Sequence, residues 1–300
     1  MDNFKLILGD FYLYLEKERG FSIHTLRAYK NDLNRFESFL SNNSITGLRD
    51  VDRNIIRDFL GFEFDAKLSS KTVARRLASI KSFFKYLMRS EQIINNPALH
   101  VKSPKIPQSL PDFIDQKVID TLMESPDVST PIGMRDRAIL ELFYSTGIRL
   151  SELIALNIRS VDSVRQLIKV NGKGDKERLI PFGNRAKFWL ENYLKNRVLL
   201  STSTSQKIPL FVNMKEKRVP TSTVQRRIRN YIKFVAVGKR LGPHILRHSF
   251  ATHMMDKGAD IRAVKDLLGH SSLSSTQVYT HIQPEKMKKI YNQAHPHGSK

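Results

Sequence analysis

Apolar residues recur every three or four positions along much of this chain, and that spacing predicts helices. Phe4, Leu8, Phe11 and Leu15 make one stripe; after Gly20, Leu26, Tyr29, Leu33, Phe36 and Leu40 make a second. A shorter helix is expected from Val51 to Phe62. The clearest pattern of this half follows, with Val73, Leu77, Ile80, Phe84 and Leu87 on a single apolar stripe. At about 100° per residue, Lys71, Arg75, Ser82, Lys85 and Arg89 fall on the opposite side of that helix. A basic face opposite a buried one suits a helix that rests on phosphates or enters a major groove. It is equally the ordinary solvated face of a small bundle.

The periodicity then stops. Pro97, Pro104, Pro107 and Pro111 fall within 15 residues, a density that no helix survives. Residues 101–111 therefore read as an extended, partly basic linker between a helical domain over 1–100 and a second domain over 112–300. That second domain resumes with a periodic helix from Gly133 to Phe143, broken at Thr146-Gly147, and another from Ser151 carrying Leu153, Ile154 and Leu156. Leu167–Val170 and Arg178–Phe182 read as two short strands around Asn171-Gly-Lys-Gly-Asp175, a hairpin with Lys173 at its tip. Residues 185–197 are helical with Trp189 as anchor, Ser201–Gln206 is a surface loop, and helices dominate from Thr221 with Gly258 and Gly269 as stops. The fold class expected is mainly α with a small antiparallel sheet.

Charge adds the partner. The 300 residues hold 50 Lys plus Arg against 29 Asp plus Glu, a formal net charge of +21, which favours a polyanion and nucleic acid first. Most of the excess lies beyond residue 100, where 34 basic residues face 17 acidic ones. No cysteine is present, which removes disulfides, thiolate nucleophiles and cysteine-ligated zinc. Nucleophiles are left to hydroxyls, amines and carboxylates. With no basic segment leading into an apolar core at the N-terminus and no run of about 18 apolar residues, a soluble, cytoplasmic protein is expected.

The candidate chemistry sits in four segments: Thr146-Gly-Ile-Arg-Leu-Ser-Glu-Leu153, Gly172-Lys-Gly174, His244-Ile-Leu-Arg-His248, and Leu268-Gly-His270 followed by Ser275-Thr-Gln-Val-Tyr-Thr-His281. A tyrosine phenol can attack a phosphodiester when a base and cationic donors surround it. Guanidinium suits the non-bridging oxygens, since its planar fork matches phosphate and stays charged. For Arg149 the alternative is a salt bridge to Glu152 three residues on, for Arg247 a plain surface cation, and for Lys173 a turn residue between glycines. His244, His248 and His253 raise a metal alternative. The His-x-x-x-His spacing lacks the adjacent glutamate of a zinc protease helix and no cysteine or acidic cluster completes it, so neither metal nor other cofactor is expected. The Gly-Lys-Gly run lacks the spaced glycine and following Ser or Thr of a nucleotide-binding loop.

Together these segments resemble the tyrosine recombinase, or phage integrase, family, whose six residue types recur in order over about 130 positions here. Within it the compact length is most similar to the bacterial Xer recombinases. The resemblance implies a helical core-binding domain followed by an α+β catalytic domain. It casts Tyr279 as nucleophile, Arg149, Arg247 and His270 as phosphate donors, His244 as base, Lys173 as acid toward the leaving 5′-oxygen, and Glu152 as support. It further implies a double-stranded DNA site as partner, a sister XerD-like recombinase in a tetrameric synaptic complex, and a DNA translocase as regulator. The last segment, Pro284-Glu-Lys-Met-Lys-Lys-Ile-Tyr291, with Met287, Ile290 and Tyr291 as its apolar side, either closes its own domain or, as in that family, docks on a neighbour. A mobile-element integrase, a type IB topoisomerase and a non-catalytic DNA-binding protein are the other readings.

Overall fold

The computed structural model describes residues 2–107, 113–171, 177–197, 208–235, 242–269 and 284–297. The chain divides into two compact units, Met1–Ser109 and Leu110–Lys300.

Among the described residues the first unit holds four α-helices: α1 (Asp2–Lys17), α2 (Ile23–Asn42), α3 (Arg53–Asp65) and α4 (Ser70–Arg89). Ser22, Asp52 and Ser69 cap the last three by accepting the N–H of Thr25, Ile55 and Thr72. The Asp52 cap explains why α3 begins after the expected Val51. The predicted stripes meet in a core of Phe11, Leu33, Phe36, Phe59, Leu77, Phe83 and Phe84, with Phe36 edge-on to Phe59 at 5.1 Å. Within this core lie two carboxylates, Asp32 at 1% and Glu63 at 0% exposure. Arg75 and Ser79 bond Asp32, Arg35 bonds Glu63, and Arg76 lies between the two. Buried charge persists only when compensated in this way. Ala98 and Val101 also pack into the core, where Lys81 Nζ donates to the Val101 carbonyl at 2.7 Å.

The second unit contains α5 (Gln116–Glu124), α6 (Pro131–Thr146), α7 (Leu150–Ala155), β1 (Val161–Asp162), β2 (Leu167–Asn171), β3 (Glu177–Pro181), α8 (Asn184–Lys195), α9 (Thr221–Val235), α10 (His244–Asp256), α11 (Ile261–Leu268) and α12 (Pro284–Ala294). The strands form an antiparallel sheet in the order β1-β2-β3, with Lys169 opposite Leu179. Helix α6 is the centre of the unit. It is longer than the periodic stripe predicts, because Thr130 caps it and Pro131 occupies its first turn. It is buried on every side, and its charges are paired internally, Arg135 with Asp136 and Arg137 with Glu141. Two elements go beyond the expectation: α5, held by Ile119, Leu122 and Met123, and the two-residue β1. Trp189 is only partly buried, so Ala186, Leu190 and Tyr193 anchor α8 while Arg137 stacks over the indole at 4.6 Å. Gly258 and Gly269 do end helices in the left-handed conformation that glycine tolerates. No helix among the described residues is long and apolar enough to cross a membrane.

Candidate active site

Helix α6 ends at Gly147, whose φ of +59° reverses the chain, and a Cβ there would strike the Phe250 ring of α10 at 2.4 Å. That close approach sets Arg149 beside the start of α10. Arg149 itself is extended and precedes α7, with Glu152 in the third helical position. The Glu152 carboxylate accepts the Arg149 backbone N–H at 2.8 Å and the Arg149 guanidinium at 2.9 Å. The ion pair raised as the alternative to catalysis is therefore present. It does not consume the arginine, whose side chain is still 47% exposed against 9% for Glu152.

A third residue joins this pair. Arg178 of β3 grips the same carboxylate with both terminal nitrogens, at 2.9 and 3.3 Å. Arg247 of α10 donates to the Gly147 carbonyl at 2.7 Å and to the Leu268 carbonyl at 2.6 Å, which ties the ends of α6 and α11 together. Arg149 Nη2 lies 3.4 Å from the Gly269 carbonyl. Electrostatics record the crowding. Burial, with Arg149 next in weight, pulls Arg247 down to about 10, still charged at neutral pH; Glu152 opposes the shift. Burial alone would raise the Glu152 carboxyl, but the hydrogen bonds from Arg178 and the Arg149 N–H hold it below its ordinary value. Two guanidiniums, those of Arg149 and Arg178, thus share one carboxylate with the charged Arg247 close by, and of the three arginines Arg149 is the exposed one. This is what an oxyanion of a phosphodiester requires.

His244 is the first residue of α10, exposed, one turn before Arg247. His253 is buried, its Nδ1 2.8 Å from the Tyr144 hydroxyl, and burial lowers its pKa; it is a packing residue. Among the described residues no group of three or more His, Cys, Asp or Glu stands close enough to hold a metal. Lys173, His270 and Tyr279 lie outside the described residues. Their described neighbours are the hairpin base, where Lys169 pairs with Glu177 at 2.6 Å, and Gly269. On α4 of the first unit, Lys71, Arg75, Lys85 and Arg89 are all exposed. Two of them are steadied: Arg75 by Asp32, and Arg89 by the Tyr14 hydroxyl at 3.3 Å.

Two family models match the chain: the phage integrase family over residues 112–286 and the phage integrase N-terminal SAM-like domain over 8–91. The chain belongs to the phage integrase family of tyrosine recombinases. The family makes it a site-specific DNA recombinase, an enzyme that breaks and rejoins strands. Tyrosine recombinase XerC of Thermodesulfovibrio yellowstonii is 41% identical, covering 99% of this chain and 98% of that protein. XerC of Myxococcus xanthus is also 41% identical, and XerD of Staphylococcus epidermidis is 37% identical over 97% of this chain. Among solved structures, a lambda integrase(75-356) dimer bound to a COC′ core site matches with a TM-score of 0.72 at 16% identity, covering 93% of this chain and 99% of that one. XerH bound to palindromic difH substrate, in a post-cleavage complex, matches at 0.69 and 23%, covering 91% and 81%. At those identities the likeness is one of fold.

Arg178 was missed in the sequence, where it reads only as a strand residue. A signal was there. With a strand period of two, Arg178, Ile180 and Phe182 share a face, and the last two are buried, so Arg178 is a charge at an inward position that needs a partner. The end of the chain was also underread: Tyr291 is buried with its hydroxyl 2.6 Å from Ser145 Oγ, and His295 and His297 are buried beyond it. In the single chain, α12 closes its own unit.

Proposed function

We propose that the protein binds a specific duplex site, attacks one scissile phosphate through the Tyr279 hydroxyl and passes the strand to a second duplex by way of a Holliday junction. The observation that carries this reading is that Arg149, held by Glu152, and Arg247 meet on the Gly269 and Leu268 carbonyls, the backbone that leads directly into His270. In the step, Tyr279 oxygen bonds to phosphorus and the bond from phosphorus to the 5′-oxygen breaks. The phenolic proton passes to His244, and Lys173 protonates the departing 5′-oxygen. A 3′-phosphotyrosyl link and a free 5′-hydroxyl result. One ester has replaced another, so no ATP is consumed and no cofactor is needed. Arg149, Arg247 and His270 hold the non-bridging oxygens, with Glu152 in support.

In this reading residues 1–100 are the core-binding domain, residues 101–111 the strap and residues 112–300 the catalytic domain. The α4 face of Lys71, Arg75, Lys85 and Arg89 rests on the DNA backbone. The cellular role is resolution of dimeric chromosomes before division, in the cytoplasm. The protein would act with a sister XerD-like recombinase in a tetramer, under a DNA translocase, with α12 docking on a neighbour. Nearly full-length identity to recombinases named XerC and XerD supports that role over mobile-element integration, for which only a shared fold speaks.

Trapping on nicked suicide duplexes tests the chemistry. Tyr279→Phe is expected to bind the site within a few-fold of wild type and to form no covalent adduct, because only the nucleophilic oxygen is lost. An adduct at wild-type yield would refute the assignment.

A further inference from the structure

We propose that Arg178 is a positioning residue for the cleavage step: by taking up the Glu152 carboxylate, it leaves the Arg149 guanidinium its positive charge for the scissile phosphate. The inference rests on the phosphoryl-transfer reading above and concerns a residue to which that reading gives no part.

A carboxylate 2.9 Å from Arg149 organises it, through the backbone N–H as well as the side chain, but also neutralises it. An Arg149–Glu152 pair alone would present no net charge to a phosphate, leaving Arg247 as the single cation of the three guanidiniums. Arg178 changes the balance. Its two nitrogens meet both carboxylate oxygens, and at 19% exposure it is too enclosed to serve as a surface cation. Two guanidiniums on one carboxylate leave one positive charge, to which the neighbouring Arg247 adds a second, and the most exposed of the three is Arg149. Glu152 can then orient Arg149 without quenching it.

Packing supplies a second, independent observation. A Cβ placed on Gly269 would stand 2.9 Å from Arg178 Cζ and 3.1 Å from its Nε. The Arg178 guanidinium therefore lies against the backbone of the residue whose carbonyl faces Arg149, immediately before His270. Gly269 is needed there twice over, for its φ of +66° and for this approach. Arg178 is also the second residue of β3, opposite Val170 of β2, so the carboxylate grip pins the base of the hairpin to the start of α7. One side chain joins hairpin, α7 and the end of α11. Lysine could not do this, since a point charge serves one carboxylate oxygen and has no flat face to lay on Gly269.

The test uses the full-length chain, a duplex site selected by binding to the wild type and nicked as a suicide substrate. Adduct formation is followed under single turnover at saturating protein, with DNA affinity and thermal midpoint measured alongside. Arg178→Ala is expected to bind within about threefold and cleave roughly 10- to 100-fold more slowly, as for a misplaced catalytic group. Arg178→Lys should recover part of the rate. The decisive variant is Arg178→Ala with Glu152→Gln. Glutamine still accepts the Arg149 N–H but carries no charge, so the double variant should cleave several-fold faster than Arg178→Ala alone. A purely structural Arg178 would make the double variant no better. Should Arg178→Ala fail to fold, Arg178→Gln with and without Glu152→Gln carries the same contrast, since glutamine keeps hydrogen-bond donors without the charge. Arg178→Ala cleaving at the wild-type rate, or a double variant no faster than the single, overturns this inference alone. A wild type that forms no adduct overturns the recombinase reading along with it.

Discussion

Each unit gathers arginines around carboxylates, and the two clusters do opposite things. In the first unit, Arg35, Arg75 and Arg76 meet two carboxylates, Asp32 and Glu63, both essentially inaccessible. Charge nearly balances there, and its work is to lock α2, α3 and α4 in one register. In the second unit, Arg149 and Arg178 bond the carboxylate of Glu152, and Arg247 adds a third guanidinium close by. Charge does not balance, and the surplus is accessible. Residue types are the same and Arg75 is as exposed as Arg149, so the proposal that the second cluster holds a phosphate turns on stoichiometry.

Substitutions can break this comparison. Arg76→Ala should destabilise the first unit by about 3 kcal/mol, at the low end for a broken buried pair because Arg35 and Arg75 still contact the carboxylates. Denaturant unfolding measures it, and the cleavage rate of the folded fraction should not change. Arg149→Ala should do the reverse: a small change in unfolding midpoint, with single-turnover cleavage slowed by about 10² to 10³, or roughly 3 to 4 kcal/mol of barrier. If Arg76→Ala slowed chemistry, or Arg149→Ala mainly unfolded the protein, the division of labour would fail.

The smallest effect is in pH. The folded Glu152 carboxyl lies below its ordinary value, so its contribution to stability is full above the unfolded pKa of about 4.5 and is lost as pH falls through the folded one. With the Arg149 side of the pair half exposed, solvent screens it and that contribution is on the order of 1 kcal/mol or less. Wild type should exceed Glu152→Gln in unfolding midpoint at pH 7, and the gap should close as pH falls below the ordinary carboxylate range. A gap independent of pH would remove Glu152 as the charged centre of the cluster.

Much of this was legible in the sequence. The apolar stripes of α1, α2 and α4 became the first core as read, because long amphipathic helices declare their buried face every 3.6 residues. The hairpin strands fall within a residue of their expected bounds, and glycines end the helices where expected. The ion pair of Arg149 with Glu152, three residues on, was legible from the spacing and is present, and it leaves the arginine exposed. What escaped reading was set by tertiary contact. β1 is two residues long and exists by pairing with Leu167 and Ile168. The nine-residue α5 has too few turns to show a stripe and is held by its neighbours. Glu152 and Arg178 are 26 positions apart, and no local period connects them. Arg76, between Asp32 and Glu63, depends likewise on three helices meeting.

If the arginine cluster serves a tyrosine nucleophile, peptide mapping of the trapped DNA adduct will find the tyrosine. After nuclease trimming and proteolysis, the nucleotide mass is predicted on Tyr279 alone. Attachment to another residue, Tyr291 or a serine hydroxyl for example, would contradict the account at its core.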